Sequence, residues 1–162
     1  MNLDRNEIKR SIIQSQHCQR NWDLSKQIPA KDIETIITAV TQCPSKQNVA
    51  HYRVHAITRR EIIEQIHEHT HGFTIRHIPS YQDETNSQVL ANLLLVFEEI
   101  DIDISNKVDA IRNNQTQAVA SNDFNEEDKN ILQRDKLVSV GIASGYANII
   151  ANMMGYNTGY CA

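Results

Sequence analysis

TQCPSKQNVAHYRVHAIT, residues 41–58, decides how the rest of the chain is read. Just before it, Ile33, Ile36, Ile37 and Val40 recur at helical spacing. That helix should stop near Cys43, because the residue before a proline avoids the α region. Pro44, Ser45, Lys46, Gln47 and Asn48 then form a loop made entirely of φ-fixing or hydrogen-bonding side chains. Beyond it Tyr52, Val54 and Ala56 alternate with Arg53, His55 and Ile57, which predicts a strand with at least one buried face. The stretch therefore reads as helix, polar loop, strand.

Working outward, Asp4 is placed to cap a first helix with a narrow stripe of Ile8, Ile12 and Ile13. The polar segment QSQHCQRNWDLSKQ follows, and Pro29 occupies the first position of the next helix. Downstream of the strand, Ile62, Ile63 and Ile66 predict a helix over Arg59–His69. Thr70 to Ser87, with Gly72 and Pro79, reads as an irregular excursion, and Leu90 to Phe97 as a buried strand. Glu98 to Asn122 is acidic and Asn-rich, with a short helix only around Val108 to Ile111. A long helix runs from about Asn125 to Met154, with Gly155 as its stop.

This order predicts an α+β layered domain in which helices cover a small sheet. Two or three strands are few for a self-sufficient sheet, so either strands have been missed or something beyond the chain completes it. Gly141 and Gly145 lie four apart in the long helix, beside a row of Ala143, Ala147 and Ala151. A glycine inside a helix costs roughly 1 kcal/mol relative to alanine, which is tolerated where another backbone comes close. That backbone can belong to the same chain or to a second subunit.

With 162 residues, the chain is long enough for one domain, 1–162, with a real core. The net charge of -4, with no basic stripe, argues against a nucleic-acid binder. Cys18, Cys43 and Cys161 are odd in number and widely spaced, as in reduced thiols of an intracellular protein. The N-terminus lacks the apolar core of a signal peptide, and no apolar run is long enough to span a bilayer. The expected location is the cytoplasm. His67, His69, His71 and His77 read as surface histidines although His67 and His71 have metal-ligand spacing. FEEIDIDISNKVD lacks the glycine and closing glutamate of an EF-hand calcium loop.

Three features stand in order: QHCQRNWD (Gln16–Asp23), CPSKQN (Cys43–Asn48), and a long, small-residue-rich helix ending in GYNTGY (Gly155–Tyr160). Together they resemble the nitroreductase family of flavin enzymes, over nearly the whole chain. The family shows an Arg-x-Ser-x-Arg-like segment followed by an aromatic, then a helix, Pro-Ser-x-x-Asn, a strand, and later a long central helix. The resemblance implies a layered α/β/α domain, a mixed and mainly antiparallel sheet around that helix, and a homodimer with flavin at its interface.

It further implies that Gln16, His17, Cys18 and Arg20 form the phosphate-binding segment of an FMN site. Gln16 stands where the family commonly has arginine and Cys18 where it often has serine. Phosphate binding would then lean on the Arg20 guanidinium. Pro44, Ser45 and Asn48 are carried over to the ring and ribityl chain, Asn48 both donating and accepting hydrogen bonds, and Lys46, at a variable position of the motif, is counted with the cofactor-binding residues. Asn86, with Asp83 the alternative in a shifted alignment, corresponds to a contact at the pyrimidine edge, and Tyr160 and Cys161 to backbone passing the ring. The implied activity is hydride transfer from NADH or NADPH, through FMN, to a small-molecule acceptor such as a nitroaromatic or quinone. No obligatory catalytic side chain is expected, because the cofactor carries the chemistry. The sequence stops at Ala162, where family members continue with further strand and helix, so the expectation is either an incomplete sequence or a C-terminally shortened, minimal member. A dimer that binds flavin, or serves as a scaffold, without turnover is the alternative reading.

Overall fold

The computed structural model describes residues 4–72, 85–100 and 125–161. Among these, α1 (Arg5–Ser15) and α2 (Ala30–Thr41) precede β1 (Tyr52–Ile57), α3 (Arg60–Glu68), β2 (Leu94–Glu99) and the long α4 (Glu126–Met153). Short 3-10 turns at Lys46–Asn48 and Ser87–Leu90 punctuate the connections. The anticipated helix at Val108–Ile111 lies outside the described residues, as do His77 and most of the acidic run.

β1 and β2 pair antiparallel, Tyr52 opposite Glu99 through to Ile57 opposite Leu94. Tyr52 is the residue that joins this sheet to the helices. Its ring meets Phe97 edge-on, with centroids 5.6 Å apart, and its hydroxyl donates to the Val40 carbonyl at the end of α2. Val40, Cys43, Tyr52 and Ala143 make the buried cluster, so the α2 terminus, the loop, β1 and α4 converge at one point. Burial, together with the adjacent Cys43, pushes the Tyr52 phenol far above its ordinary value, and the hydroxyl stays a neutral donor.

α4 starts with a full capping box: Asn125 Oδ1 accepts from the Asp128 amide, and Asp128 accepts from the Asn125 amide. It stops at Gly155, whose φ of +88° reverses the chain as expected. The row of Ala143, Ala147 and Ala151 faces the core, Ala143 and Ala151 being buried. Gly141 and Gly145 do not share that packing. A Cβ built at either meets nothing within 4 Å among the described residues, so no close approach by those residues accounts for them.

Two local expectations need correction, and α1 adds a finding of its own. β2 begins at Leu94, not Leu90, and its side chains are half-buried or exposed rather than core. Leu90 instead closes a 3-10 turn, where the Arg60 guanidinium donates to the carbonyls of Leu90 and Ala91 at 3.1 and 3.0 Å. Asn92 is drawn out of the strand to donate to the Asp23 and Lys26 carbonyls. Pro29 caps α2 with an extended ψ of 142° and is not its first helical residue. Finally, Ile12 and Ile13 are exposed, and α1 buries no residue. Polar ties to the end of α4 and to the tail hold it instead: Asn148 Nδ2 donates to the Ser15 carbonyl, and Gln14 Nε2 to Asn157 Oδ1.

Candidate functional site

After α4 the tail turns back along the segment that follows α1. The Gln19 amide donates to the Thr158 carbonyl at 2.8 Å, and the Tyr160 amide donates to Cys18 Sγ at 3.2 Å. Gly159 permits this approach, because a Cβ there would stand 2.6 Å from the Gln19 carbonyl oxygen. The turn at 86–88 closes the third side. Asn86 caps it by accepting from the Gln88 amide, and its Nδ2 donates to Cys161 Sγ at 2.7 Å. Gln88 Nε2 donates to Cys18 Sγ. Trp22, half-buried, fastens the same turn by donating from Nε1 to the Ser87 carbonyl at 2.9 Å. Cys18, Asn86, Tyr160 and Cys161, four of the residues singled out from sequence, therefore meet in one polar cluster.

Tyr160 is held there by its other end, its hydroxyl donating to the Ser144 carbonyl of α4 at 2.7 Å. Burial raises its phenol above the ordinary value, outweighing that bond, so the hydroxyl remains protonated at neutral pH. Gln16, at the end of α1, and His17 and Arg20 are exposed beside the cluster in sequence.

The loop from Pro44 to Asn48 goes elsewhere. Lys46 Nζ reaches Asp135 Oδ2 of α4 at 2.5 Å, and this hydrogen bond holds the Asp135 carboxyl below its usual range. Asn48 adopts φ +57°, the left-handed region that asparagine tolerates better than most residues. Asp135 and Ser144, which anchor the loop and Tyr160 respectively, lie roughly 13 Å apart along the helix axis at 1.5 Å per residue. In a single chain the two sets of predicted residues therefore sit at different levels of α4. A concavity of about 570 Å³ between β1 and α3, lined by Ile57, Ile62, Ile66 and Val96 among others, contains none of them. Among the described residues no group of His, Cys, Asp and Glu is arranged to hold a metal ion.

The sequence matches the model of the nitroreductase family over residues 13–162. The chain belongs to the nitroreductase family. Solved structures with a similar fold include NfrA2 of B. megaterium, with TM-score 0.58 and 17% identity over 96% of this chain and 52% of that one. Nitroreductase A of Vibrio parahaemolyticus is similar with TM-score 0.54 and 20% identity, over 96% and 53% of the two chains. This nitroreductase-family chain thus spans about half the length of those structures. No curated protein matches it.

One residue of the polar cluster escaped the sequence reading. Gln88 is buried, yet its Oε1 has no hydrogen-bond partner among the described residues. Turning the amide would only exchange which end is left over, since the other end meets Cys18. An unpaired buried amide group costs about 1–3 kcal/mol, and a ligand donor or acceptor at this position relieves that cost. The cluster therefore fits a cofactor with a hydrogen-bonding ring edge. The only signal in the sequence was position, because Gln88 stands two residues after Asn86 on the same turn.

Proposed function

We propose that this chain forms an FMN site of a nitroreductase-type oxidoreductase, reduced by NADH or NADPH and reoxidised by a nitroaromatic, quinone or similar small acceptor. The observation that carries the reading is Gln88, whose Nε2 meets Cys18 while its buried Oε1 has no partner among the described residues, within the family match. Hydride acceptance and its onward transfer are the chemistry that FMN supplies when bound. The chain's own residues bind and orient. Arg20 supplies charge for the phosphate, with Gln16 and His17 as neighbouring donors. Gln88 and Asn86 offer amide groups to the ring edge, and the backbone at Tyr160 and Cys161 limits how far the ring can slide. Pro44, Ser45, Lys46 and Asn48 form a second wall.

That second wall sits at another level of α4, which supports a homodimer in which two chains share each site. Leu137, Val138 and Tyr146 are exposed on α4 near the uncovered Gly141 and Gly145, a face suited to a second copy. No helix among the described residues is long and apolar enough to cross a membrane. We place the protein in the cytoplasm as one domain over 1–162.

Titrating purified protein with FMN tests the reading directly. Flavin fluorescence should be quenched on binding, Arg20→Ala should weaken binding about tenfold or more, and NADH or NADPH should bleach the bound yellow colour. Absence of any FMN uptake would sink the site assignment. Uptake without bleaching by either nicotinamide would sink the reductase assignment and leave a flavin-binding module.

A further inference from the structure

Two of the three thiols of this chain, Cys18 and Cys161, are exposed and converge on the same turn, while Cys43 is buried. Cys18 Sγ lies 3.2 Å from the amide nitrogen and 3.7 Å from the carbonyl oxygen of Tyr160, the residue just before Cys161. Covalent geometry sets a carbonyl oxygen about 2.8 Å from the next Cα, so Cys18 Sγ is within roughly 6.5 Å of the Cys161 Cα. The two sulfurs also share one donor platform, Gln88 Nε2 on Cys18 and Asn86 Nδ2 on Cys161. Gln88 is buried on the turn that Asn86 caps, so both donors stand on one short element. The bond between Gln19 and Thr158, and the contact of Gly159 with the Gln19 carbonyl, hold the two strands of chain side by side.

We propose that Cys18 and Cys161 form a reversible intramolecular disulfide, a site of oxidation built into the mouth of the cluster. A bridge needs Cα atoms about 4.4–6.8 Å apart, and with Cys18 Sγ already within roughly 6.5 Å of the Cys161 Cα the rest is asked of side-chain rotation at the two cysteines. The oxidant is a low-molecular-weight disulfide, RSSR, of the oxidised-glutathione class. The Cys18 thiolate attacks one sulfur of RSSR, breaking its S–S bond, forming a mixed disulfide and releasing one RSH. The Cys161 thiolate then attacks the Cys18 sulfur, expels the second RSH and leaves the intramolecular bond. Two protein thiols are oxidised and one RSSR is reduced to two RSH, with the two protons carried off on them. The order can be reversed without altering the balance. Tethering makes the second step intramolecular, so it should outrun a second encounter with RSSR.

The whole chain is incubated with oxidised glutathione and read by intact mass, thiol titration and peptide mapping. Expected are a mass lower by about 2 Da, loss of both thiols that react in the native protein, a peptide joining Cys18 to Cys161, and full reversal by dithiothreitol. Cys18→Ser and Cys161→Ser should each stop at a mixed disulfide on the remaining thiol, with no 2 Da loss. A stable glutathione adduct on the wild-type chain, a covalent dimer, a bridge through Cys43, or unchanged thiols would each overturn the proposal. The readout is independent of any bound cofactor, so it stands or falls separately from the assignment of function.

Discussion

Replacing Gly159 with alanine tests how the tail is seated. The added Cβ would stand 2.6 Å from the Gln19 carbonyl oxygen and 3.5 Å from Gln88 Nε2. The first contact is backbone against backbone and cannot be relieved by a side-chain rotation, so the tail must lift off the segment after α1. Overpacking of this kind costs about 1–3 kcal/mol. Stretching the bond from Gln19 to Thr158 adds about 1 kcal/mol. Alanine returns about 0.4–1 kcal/mol by restricting the unfolded chain. The net is a loss of about 1–3.5 kcal/mol, which for a chain of this size lowers Tm by roughly 2–14 °C. Thermal melts and urea titrations of Gly159→Ala measure it, with Gly145→Ala, whose Cβ meets nothing, expected to shift the other way by about 1 kcal/mol. A Gly159→Ala melt indistinguishable from wild type, at an unchanged urea slope, would refute the seating of the tail described here.

Other outcomes follow from the same geometry. Gly141→Ala with Gly145→Ala should stabilise the isolated chain by about 2 kcal/mol through helix propensity. Gly145→Leu should shift sedimentation toward monomer if that face joins two copies, and unchanged sedimentation of a dimer would place the interface elsewhere. Gln88→Leu removes an unpaired buried carbonyl as well as the donor to Cys18, so stability should move by about 1 kcal/mol or less. Fluorescence titration should nonetheless show about tenfold weaker FMN binding, and equal affinity would remove Gln88 from the site. Asp135 has a folded-state pKa below its unfolded one, so its contribution is present above the ordinary carboxylate value and lost as pH falls through the folded value. Asp135→Asn should cost up to about 1 kcal/mol at neutral pH, and the gap to wild type should close in acid. A gap that stays constant through the acid range would argue that Lys46 gains nothing from that carboxylate.

What the sequence made legible was whatever local chemistry settles. Pro44 stops α2, the alternation at Tyr52–Ile57 marks β1, and Asn125 and Gly155 bracket α4. Misreadings arose where distant partners prevail. The run from Leu90 to Phe97 looks like one strand, but Arg60 and Asn92 bond to carbonyls around it and cut away its first part. The helical spacing of Ile12 and Ile13 marked α1 correctly, but what fastens it, the amides of Asn148 and Gln14, no hydrophobic pattern reveals. At the site, the meeting of Cys18, Asn86, Tyr160 and Cys161 came from an ordered set of motifs, and the structure adds Gly159 as the residue that lets them meet. Gln88 was illegible because an unsatisfied amide is a property of surroundings, not of residue type.

The polar anchors spaced along α4 turn that helix into a ruler. Asp135 holds the loop, Ser144 holds Tyr160, and Asn148 and Asn152 tie α1 and Thr158. Inserting one residue between Asp135 and Ser144 would advance everything beyond it by 1.5 Å and swing it by roughly 100°. The tail and α1 would then be presented to the wrong side of the loop, although no contact residue had changed. The length of this helix is therefore fixed in discrete steps, and natural variation in chain length should gather in the connections around it.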